Sequence, residues 1–410
     1  MVKQSQIRGR HFCRACDSSE MFIAYDLGFL PIANELYSER RLQYEEFPLC
    51  LSICRNCTMG QVEDVVTPER LFEDYRYTSS TSETFLDHAS EYVADAVNEF
   101  NISSADWVLE IASNDGYLLK NFLTLGIKVI GIEPSINVGK LASELGINTI
   151  SDFFSSQLAK QILENHGYPK LIIANNVLAH VPDIRDFMHG LSILCGSETV
   201  ISIENPSLLN ILELNQFDSI YHEHFSYLTA NSVFRLASAF GLNLFNVQEI
   251  STHGGSNRYW INLGSRQSQA LIDLMHKEIK AGIKESGVWV NSYAQVMRTI
   301  ESLAKWIEDR VSAGSRVAGY GAAAKASTLL NLAKIGPWNM PLIADKSTEK
   351  QGRFMPSHSI PIVNVQEIVA YDPTDILIFP WNIANEIKTT LSISNPEARY
   401  WIAIPEMARI

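Results

Sequence analysis

Between residues 83 and 265 the chain alternates short apolar strand segments with amphipathic helical segments, and this alternation constrains the fold more than any other feature. Because parallel strands need a crossover connection, usually a helix, the pattern predicts an open parallel sheet built from βαβ units. The last two predicted strands lie close together in the sequence, so we expect them to form an antiparallel hairpin that completes the sheet. The predicted strands are residues 107–111, 129–133, 171–174, 200–203, 244–247 and 258–263.

A second α/β unit is predicted towards the C-terminus. One long helical stretch covers residues 268–310, and strands follow from residue 316 and at 342–345 and 375–379. A chain of 410 residues, with 46% hydrophobic and 19% charged residues, is also too long for one ordinary core. We therefore predict three domains, at residues 1–75, 76–265 and 266–410.

Four of the six cysteines form two C-x-x-C pairs, Cys13 with Cys16 and Cys54 with Cys57. In a reducing compartment such pairs indicate a metal site, and four thiolates suit tetrahedral zinc with no open coordination position. We therefore predict one structural zinc ion in the first domain. Cys50 is an alternative fourth ligand, and a redox-active pair or four ordinary buried thiols are the other interpretations.

The overall charge of the chain narrows the classes of partner. A net charge of −13 argues against general binding to nucleic acid or to a membrane surface. There is no apolar run of the ~18–20 residues that a membrane span needs, and the N-terminus has no apolar signal-peptide region. We expect a cytoplasmic protein that would bind an anionic substrate through a local basic pocket. The oligomeric state is open, with a monomer favoured.

Small and polar residues follow the first predicted strand and open the next helix, from Glu110 to Gly116. Ligands bind at this edge of an open parallel sheet, and Glu133 ends the second strand, where a carboxylate accepts the hydroxyls of a ribose. These segments resemble class I S-adenosylmethionine-dependent methyltransferases, although Ala112 and Asn114 replace two glycines of that family's first motif. A plain dinucleotide-type turn is the alternative. The resemblance implies that S-adenosylmethionine is bound by Glu110, Ala112, Asn114, Gly116, Glu133, Asn175 and Asn176.

Residues 221–227 read Tyr-His-Glu-His-Phe-Ser-Tyr and concentrate two imidazoles, a carboxylate and two phenols. A neutral imidazole is suited to removing a proton near pH 7, and a phenol can stabilise an oxyanion. We interpret the segment, called here the catalytic cluster, as the acid–base centre of a carbon methyltransferase. His222 is the alternative base. In a strand His222 and His224 would share a face, as a metal pair does, but no third ligand is evident. Phe225 and Tyr227 are expected to pack in the core.

Nearly the whole chain is similar to nucleotide-sugar 3-C-methyltransferases of deoxysugar biosynthesis. The similar segments are the two C-x-x-C pairs, Tyr75-Arg76-Tyr77, the 110–116 turn, the catalytic cluster, residues 253–256 and residues 319–325. The resemblance implies an α/β fold in which a class I methyltransferase sheet is flanked by a small four-cysteine zinc domain and a second Rossmann-like domain. It also implies a nucleotide-linked 4-keto-deoxysugar as substrate, methylated at C-3 through an enolate.

The same resemblance assigns roles within the site. His224 would be the base, with Glu223 orienting it or contacting the substrate, while Tyr221 and Tyr77 stabilise the enolate. The substrate diphosphate needs cations or backbone N–H groups, and the turn at residues 319–324 opens a helix that offers such groups. Substrate contacts are expected from Tyr75, Arg258 and Lys325.

Three other functions fit parts of the sequence. The turn at residues 319–324, followed by Asp345, fits a dinucleotide-binding fingerprint, so an NAD-dependent oxidoreductase is one alternative. A zinc-bearing regulatory protein with an inactive methyltransferase fold is the second. An O- or N-methyltransferase is the third, although acceptors that already carry a lone pair rarely need such a cluster.

Overall fold

The computed structural model describes residues 8–9, 12–41, 43–62, 64–67, 70–71, 80 and 83–410. The predicted site residues Tyr75 and Tyr77 lie outside this part of the chain. Among the described helices, none combines the length and apolar character that a membrane span needs. The domain boundaries at residues 75 and 265 stay predictions.

The described N-terminal part has two small antiparallel sheets, one of two strands and a larger one. The central strand of the larger sheet has Leu49, Leu51 and Ile53 buried, so it forms the middle of a compact core. One C-x-x-C pair begins at the end of this strand and continues into the turn before the next strand. The strands are β1 (Arg8–Gly9), β2 (Met21–Leu30), β3 (Phe47–Cys54), β4 (Gly60–Val62) and β5 (Asp64–Val65).

The middle part of the chain contains the alternating strands and helices that the sequence predicts. The short strand at Asn148–Ile150 was not predicted, because three residues at the sheet edge give too little periodicity. The elements are α1 (Glu83–Phe100), β6 (Trp107–Ile111), α2 (Leu119–Thr124), β7 (Lys128–Ile132), α3 (Ile136–Glu144), β8 (Asn148–Ile150), α4 (Ser156–His166), β9 (Leu171–Asn175), α5 (Ile184–Leu194), β10 (Val200–Pro206), α6 (Leu208–Glu213), β11 (Ser226–Tyr227), α7 (Ala230–Ser238), β12 (Asn243–Ile250) and β13 (Ser256–Asn262).

Seven of these strands form one sheet in the order β12-β13-β10-β9-β6-β7-β8. Strand β13 is antiparallel to both of its neighbours, so the predicted terminal hairpin is confirmed. The remaining neighbours pair in parallel, which brings the carboxyl ends of β6, β7, β9 and β10 to one edge. The predicted Rossmann-like sheet is therefore present. Strand β11 instead pairs with β4 in the N-terminal sheet.

The C-terminal part begins with two helices rather than the single predicted one. Gly282 has a positive φ of 72° and ends the first helix, because a left-handed residue cannot continue it. The elements are α8 (Gln269–Lys280), α9 (Ser286–Ser312), β14 (Val317–Tyr320), α10 (Ala324–Leu332), β15 (Ile343–Ala344), β16 (Ile362–Val363), α11 (Val365–Tyr371), β17 (Asp375–Ile378), α12 (Ala384–Ser392), β18 (Arg399–Ile402) and β19 (Ala408–Arg409).

The second sheet has the order β16-β15-β14-β17-β18-β19, with only the described strand β19 antiparallel. This is the 3-2-1-4-5-6 order of a Rossmann fold, as predicted for this part. Helix α10 packs against a short 3-10 turn at Phe217–Ser219, directly before the catalytic cluster. The cluster is thus joined to the N-terminal sheet through β11, and the segment directly before the cluster contacts the C-terminal part through α10. Further 3-10 turns lie at Leu178–His180, Thr252–Gly254 and Trp381–Ile383.

Candidate active site and metal centre

The turn after β6 has an unusual backbone. Ala112 and Asn114 have φ values of 56° and 51°, so both adopt the left-handed conformation that glycine favours. Asparagine tolerates this region, whereas for alanine it costs roughly 1–2 kcal/mol. Gly116 has a φ of 79°, and a Cβ there would lie 2.3 Å from Cδ1 of Ile147. The turn therefore keeps the backbone path expected of the glycine motif although only one of its glycines remains.

Glu133 connects this turn to the end of β7. Its Oε2 accepts a hydrogen bond from the Asn114 N–H at 3.0 Å, and its Oε1 accepts one from the Ser135 N–H at 2.9 Å. Burial raises the pKa of Glu133, and these two hydrogen bonds only partly oppose it. Each carboxylate oxygen has two lone pairs, so acceptor capacity is left for ribose hydroxyls.

The predicted donor site is acidic and contains unused acceptors. Glu110 is 1% exposed, and burial, followed by the charges of Asp115 and Glu133, raises its pKa well above the usual range. At the end of β9, Oδ1 of Asn175 and Oδ1 of Asn176 are buried without hydrogen-bond partners among the described residues. S-adenosylmethionine carries a sulfonium, an ammonium and several N–H groups, so these residues fit that molecule.

Residues 221–224 of the catalytic cluster form a turn, and only Ser226–Tyr227 at its end are in a strand. The His224 N–H donates to the Tyr221 carbonyl at 3.0 Å, which closes a turn over the two intervening residues. The alternative strand arrangement, in which His222 and His224 would share one face as a metal pair does, is therefore not present. Phe225 and Tyr227 are buried, as predicted, at 0% and 4% exposure.

His224 has the arrangement of a neutral base. Its Nδ1 lies 3.1 Å from the Ser219 carbonyl oxygen, and its Nε2 lies 2.8 Å from the Tyr221 hydroxyl. A carbonyl can only accept, so the proton of the neutral ring belongs on Nδ1. Nε2 then carries a lone pair that accepts from the Tyr221 phenol. The ring centroids of Tyr221 and His224 are 4.1 Å apart, so the predicted base and the predicted oxyanion donor are in contact.

His222 and Glu223 of the cluster form hydrogen bonds with the N-terminal part of the chain. His222 Nε2 lies 3.2 Å and 3.3 Å from the carbonyl oxygens of Phe47 and Pro48, and burial lowers its pKa to about 4. Glu223 Oε1 accepts from the Asn34 N–H at 2.9 Å, and its Oε2 has no hydrogen-bond partner among the described residues. The predicted orientation of His224 by Glu223 is therefore corrected. The Ser219 carbonyl makes that contact instead.

His180 stands beside the base. Its ring centroid is 4.7 Å from that of His224, and its Nδ1 donates to the Glu223 carbonyl oxygen at 2.8 Å. Burial lowers the pKa of His180 to about 4, so the ring is neutral near pH 7. His180 thus links the turn after β9 to the backbone of the catalytic cluster.

Arg258 belongs to an internal ion-pair network. Its Nη2 lies 3.0 Å from Glu204 Oε2 and 3.2 Å from His88 Nε2, and its Nη1 donates to Gln248 Oε1. The side chain is buried, and a guanidinium in that setting needs its carboxylate partner. The structure therefore corrects the prediction that Arg258 provides free charge for a diphosphate.

Lys325 has a different environment at the start of α10. Its Nζ is buried 4.2 Å from the Trp381 ring centroid and has no hydrogen-bond partner among the described residues. Burial lowers the pKa of Lys325, and the charge of Asp218 opposes that shift. Asp218 Oδ2 accepts from the Trp381 indole at 2.7 Å. Contact of the Lys325 ammonium group with an anionic substrate therefore stays a prediction.

The four predicted cysteine ligands converge at one point. Their Sγ atoms all lie within 4.8 Å of one another, with 3.4 Å between Cys13 and Cys57 and 3.7 Å between Cys16 and Cys54. These distances fit four thiolates around one zinc ion. In the described part of the chain this is the one cluster of three or more such ligands. Cys50, the alternative fourth ligand, is not part of this cluster, and its Sγ lies 3.4 Å from Asp26 Oδ1.

Some residues of the site carried no clear signal in the sequence. Asn205 is 1% exposed, and both polar atoms of its side chain lack partners among the described residues. Asn205, Ser226 and His224 line a cavity of about 10 Å³, which suits about one water molecule. Asn205 precedes a proline, and that pattern by itself indicates only a loop. Ser219 acts through its backbone carbonyl, which no side-chain pattern reveals.

Three family models match successive parts of the chain. Residues 13–72 match a model described as "Putative zinc binding domain", residues 85–247 a "Methyltransferase domain", and residues 251–405 a "C-methyltransferase C-terminal domain". Over 409 residues the chain is 29% identical to C-methyltransferase NovU from Streptomyces niveus. The aligned region covers 98% of this chain and 97% of NovU.

Solved structures of methyltransferases are similar to part of the chain. Magnesium protoporphyrin IX methyltransferase from Synechocystis PCC 6803 with bound SAM is 14% identical to this chain. The match covers 47% of this chain and 88% of the Synechocystis chain, with a TM-score of 0.34. The 1,6-didemethyltoxoflavin-N1-methyltransferase of Burkholderia thailandensis is 13% identical, covering 46% and 81%, at a TM-score of 0.32.

The family models account for the three parts of the fold in the order in which the chain presents them. The zinc-binding model covers the four-cysteine centre, and the methyltransferase model covers most of the sheet that carries Glu110 and Glu133. The C-terminal model covers strand β13 of that sheet and all of the second sheet except β19. Together with the full-length similarity to NovU, these matches show that the chain is similar along nearly its whole length to S-adenosylmethionine-dependent C-methyltransferases with an N-terminal zinc-binding domain.

Proposed function

We propose that this C-methyltransferase methylates C-3 of a nucleotide-linked 4-keto-deoxysugar. The observation that carries the proposal is the contact between His224 Nε2 and the Tyr221 hydroxyl at 2.8 Å. A saturated sugar carbon is not a nucleophile, but a carbon next to a ketone becomes one when a base removes its proton. A base and an oxyanion donor in contact with each other fit that requirement.

Proton removal is assigned to His224. As the C-3 hydrogen leaves, its proton goes to Nε2 and the electron pair forms the enolate. The Ser219 carbonyl oxygen, 3.1 Å from His224 Nδ1, accepts the Nδ1 proton in a hydrogen bond and stabilises the resulting imidazolium. A general base of this kind typically contributes ~10²–10⁴-fold in rate.

The enolate oxygen is assigned to Tyr221. When the ketone is bound, the phenol proton that faces His224 Nε2 turns to the developing oxyanion, so His224 is free to accept the carbon-bound proton. S-adenosylmethionine, when bound, supplies an electrophilic methyl group. Tyr77 and Tyr75 stay predictions for enolate and sugar contacts, and the Glu223 carboxylate stays a predicted substrate contact.

The diphosphate of the substrate is assigned to Lys325 and to the first N–H groups of α10. A buried ammonium without a hydrogen-bond partner is costly, and a bound diphosphate would relieve that cost. We expect Lys325→Met to raise the KM for the nucleotide sugar about 10-fold or more and to leave the affinity for S-adenosylmethionine unchanged. Lys334→Met, at an exposed position just beyond the same helix, is the control. Equal KM values for the two variants would contradict this assignment.

The function is tested by incubating the protein with S-adenosylmethionine and thymidine- or guanosine-linked 4-keto-6-deoxysugars. Mass spectrometry should show a product heavier by one methylene unit. If none of these sugars gains it, the proposed substrate class is wrong. O- or N-methylation would place the new methyl group on a heteroatom, which NMR distinguishes.

The base is tested by exchange of the C-3 hydrogen with deuterium from the solvent. We expect His224→Asn to abolish exchange while binding of S-adenosylmethionine, measured by calorimetry, is retained. Exchange at the wild-type rate in this variant would show that another group removes the proton. Loss of methyl transfer alone would not identify the base.

A further inference from the structure

Arg14 lies between two cysteines of the metal centre, in the first C-x-x-C pair, yet its side chain is buried at 2% exposure. Its Nη1 donates to the Phe225 carbonyl, and its Nη2 donates to the Val62 carbonyl at 3.0 Å. The Arg14 backbone N–H donates to Gln61 Oε1 at 2.9 Å. The guanidinium therefore joins the metal centre to two different backbone segments.

One of these segments is the catalytic cluster. Phe225 directly follows His224, and its carbonyl also accepts from the Val62 N–H at 3.2 Å. Hydrogen bonds from a buried charged donor are stronger than those from a neutral donor, and a buried carbonyl left unpaired is unfavourable. The position of the backbone after the base is therefore strongly coupled to Arg14.

The second C-x-x-C pair holds the chain beyond the cluster. The Cys57 carbonyl accepts from Asn231 Nδ2 at 3.0 Å, and the Thr58 and Thr229 hydroxyls are 2.8 Å apart. Both cysteine pairs thus contact the segment that runs from the catalytic cluster into α7. The turns that carry the predicted S-adenosylmethionine ligands instead follow β6, β7 and β9 of the methyltransferase sheet.

We propose that Arg14 is a positioning residue for His224 and that it makes the position of the base depend on the metal centre. This inference rests on the proposed role of His224. Metal ligation by Cys13 and Cys16 holds the backbone on either side of Arg14, and the guanidinium holds the Phe225 carbonyl. Loss of either contact leaves the donor site intact and displaces the base.

The chain offers a matched control. Arg55 occupies the same position in the second pair, Cys54-Arg55-Asn56-Cys57, but its side chain is exposed and donates to the Lys284 carbonyl at 3.0 Å. Arg14→Met removes the donors and keeps an unbranched apolar stem of similar length. Arg55→Met makes the same chemical change at a site that does not contact the cluster.

The test measures five quantities in both variants and in the wild type. These are the rate of deuterium exchange at C-3 of the 4-keto sugar, kcat and KM for that sugar, the Kd for S-adenosylmethionine, and zinc content. We expect Arg14→Met to lower exchange and kcat by about 10- to 100-fold, as a base misplaced by ~1 Å would. KM, Kd and zinc content should stay within about twofold of the wild type, and Arg55→Met should match the wild type throughout.

Hydrogen–deuterium exchange of the backbone gives an independent readout. We expect faster amide exchange in residues 221–228 of Arg14→Met and unchanged exchange there in Arg55→Met. Wild-type exchange rate and kcat in Arg14→Met would overturn the proposal. Parallel losses of zinc, S-adenosylmethionine binding and kcat would also overturn it, because they would show a general structural role.

A second variant covers the case in which Arg14→Met does not fold. Arg14→Lys keeps the charge but can reach only one of the two carbonyls with comparable geometry. We expect its kcat to fall at least threefold with an unchanged Kd for S-adenosylmethionine, and an unchanged kcat would overturn the proposal. Absence of C-3 exchange in the wild type would instead be a failure of the proposed function.

Discussion

His222→Gln tests whether the second histidine of the catalytic cluster is structural. Burial outweighs the two contacts to the Phe47 and Pro48 carbonyls and lowers the pKa of His222 from 6.5 to about 4. Between these values the unfolded chain binds a proton that the folded protein does not. Stability is therefore lost as the pH falls from 6.5 towards 4, at about 1.4 kcal/mol per pH unit. At pH 5 the loss amounts to about 2 kcal/mol.

The assay compares the free energy of unfolding in urea at pH 5 and pH 7.5 for wild type and His222→Gln. The glutamine amide can donate to the same carbonyls but does not titrate. Other groups, such as the buried Glu278 with its pKa raised to about 7, titrate in both proteins and cancel in the comparison. We expect the wild type to lose about 2 kcal/mol more than the variant on acidification.

Activity gives the second half of this test. At pH 7.5 His222→Gln should retain most of the C-3 deuterium exchange, whereas His224→Asn should lose it. An equal pH dependence of stability in the variant and the wild type would refute the reasoning about burial. A loss of exchange as large as that of His224→Asn would identify His222 as part of the acid–base machinery.

Two further perturbations test the donor turn and the buried ion pair. Gly116→Ala should destabilise the protein by about 2–5 kcal/mol, because the new Cβ meets Ile147 in addition to the left-handed strain. Gly126→Ala, with a φ of 74° and no heavy atom within 4 Å, should cost only about 1–2 kcal/mol, and equal costs in urea unfolding would contradict the packing argument. Glu204→Gln leaves the Arg258 guanidinium buried without its anion, so we expect a loss of about 3–5 kcal/mol. An unchanged melting temperature would show that this pair does not contribute to stability.

Much of the fold follows from local patterns in the sequence. The strand from Trp107 to Ile111 agrees with its predicted bounds, and the terminal hairpin follows from the short spacing of its strands. The metal centre also follows from spacing, because two C-x-x-C pairs restrict the geometry before any packing is considered. The short strand β8 and the break at Gly282 were missed because each depends on very few residues.

The residues of the candidate site also fall into those that the sequence indicates and those that only the structure places. The positions of Glu110, Glu133 and His224 at the strand ends and in the cluster are readable from residue types and from resemblance. Arg258 was misassigned because its partner, Glu204, lies 54 positions away in the sequence and meets it only across two antiparallel strands. A charged residue in a strand pattern gives no sign of whether it faces a carboxylate or a ligand.

The sequence by itself determined the three-part α/β architecture, the four candidate metal ligands and the candidate donor turn, because each depends on periodicity or on spacing along the chain. Only the tertiary structure decided which contacts each histidine of the catalytic cluster makes. A turn at residues 221–224 separates His222 from His224, since one imidazole contacts the carbonyls of Phe47 and Pro48 and the other lies between Ser219 and Tyr221. These contacts join residues from different parts of the chain through backbone carbonyls, which every residue carries, so no pattern of side chains could have shown them.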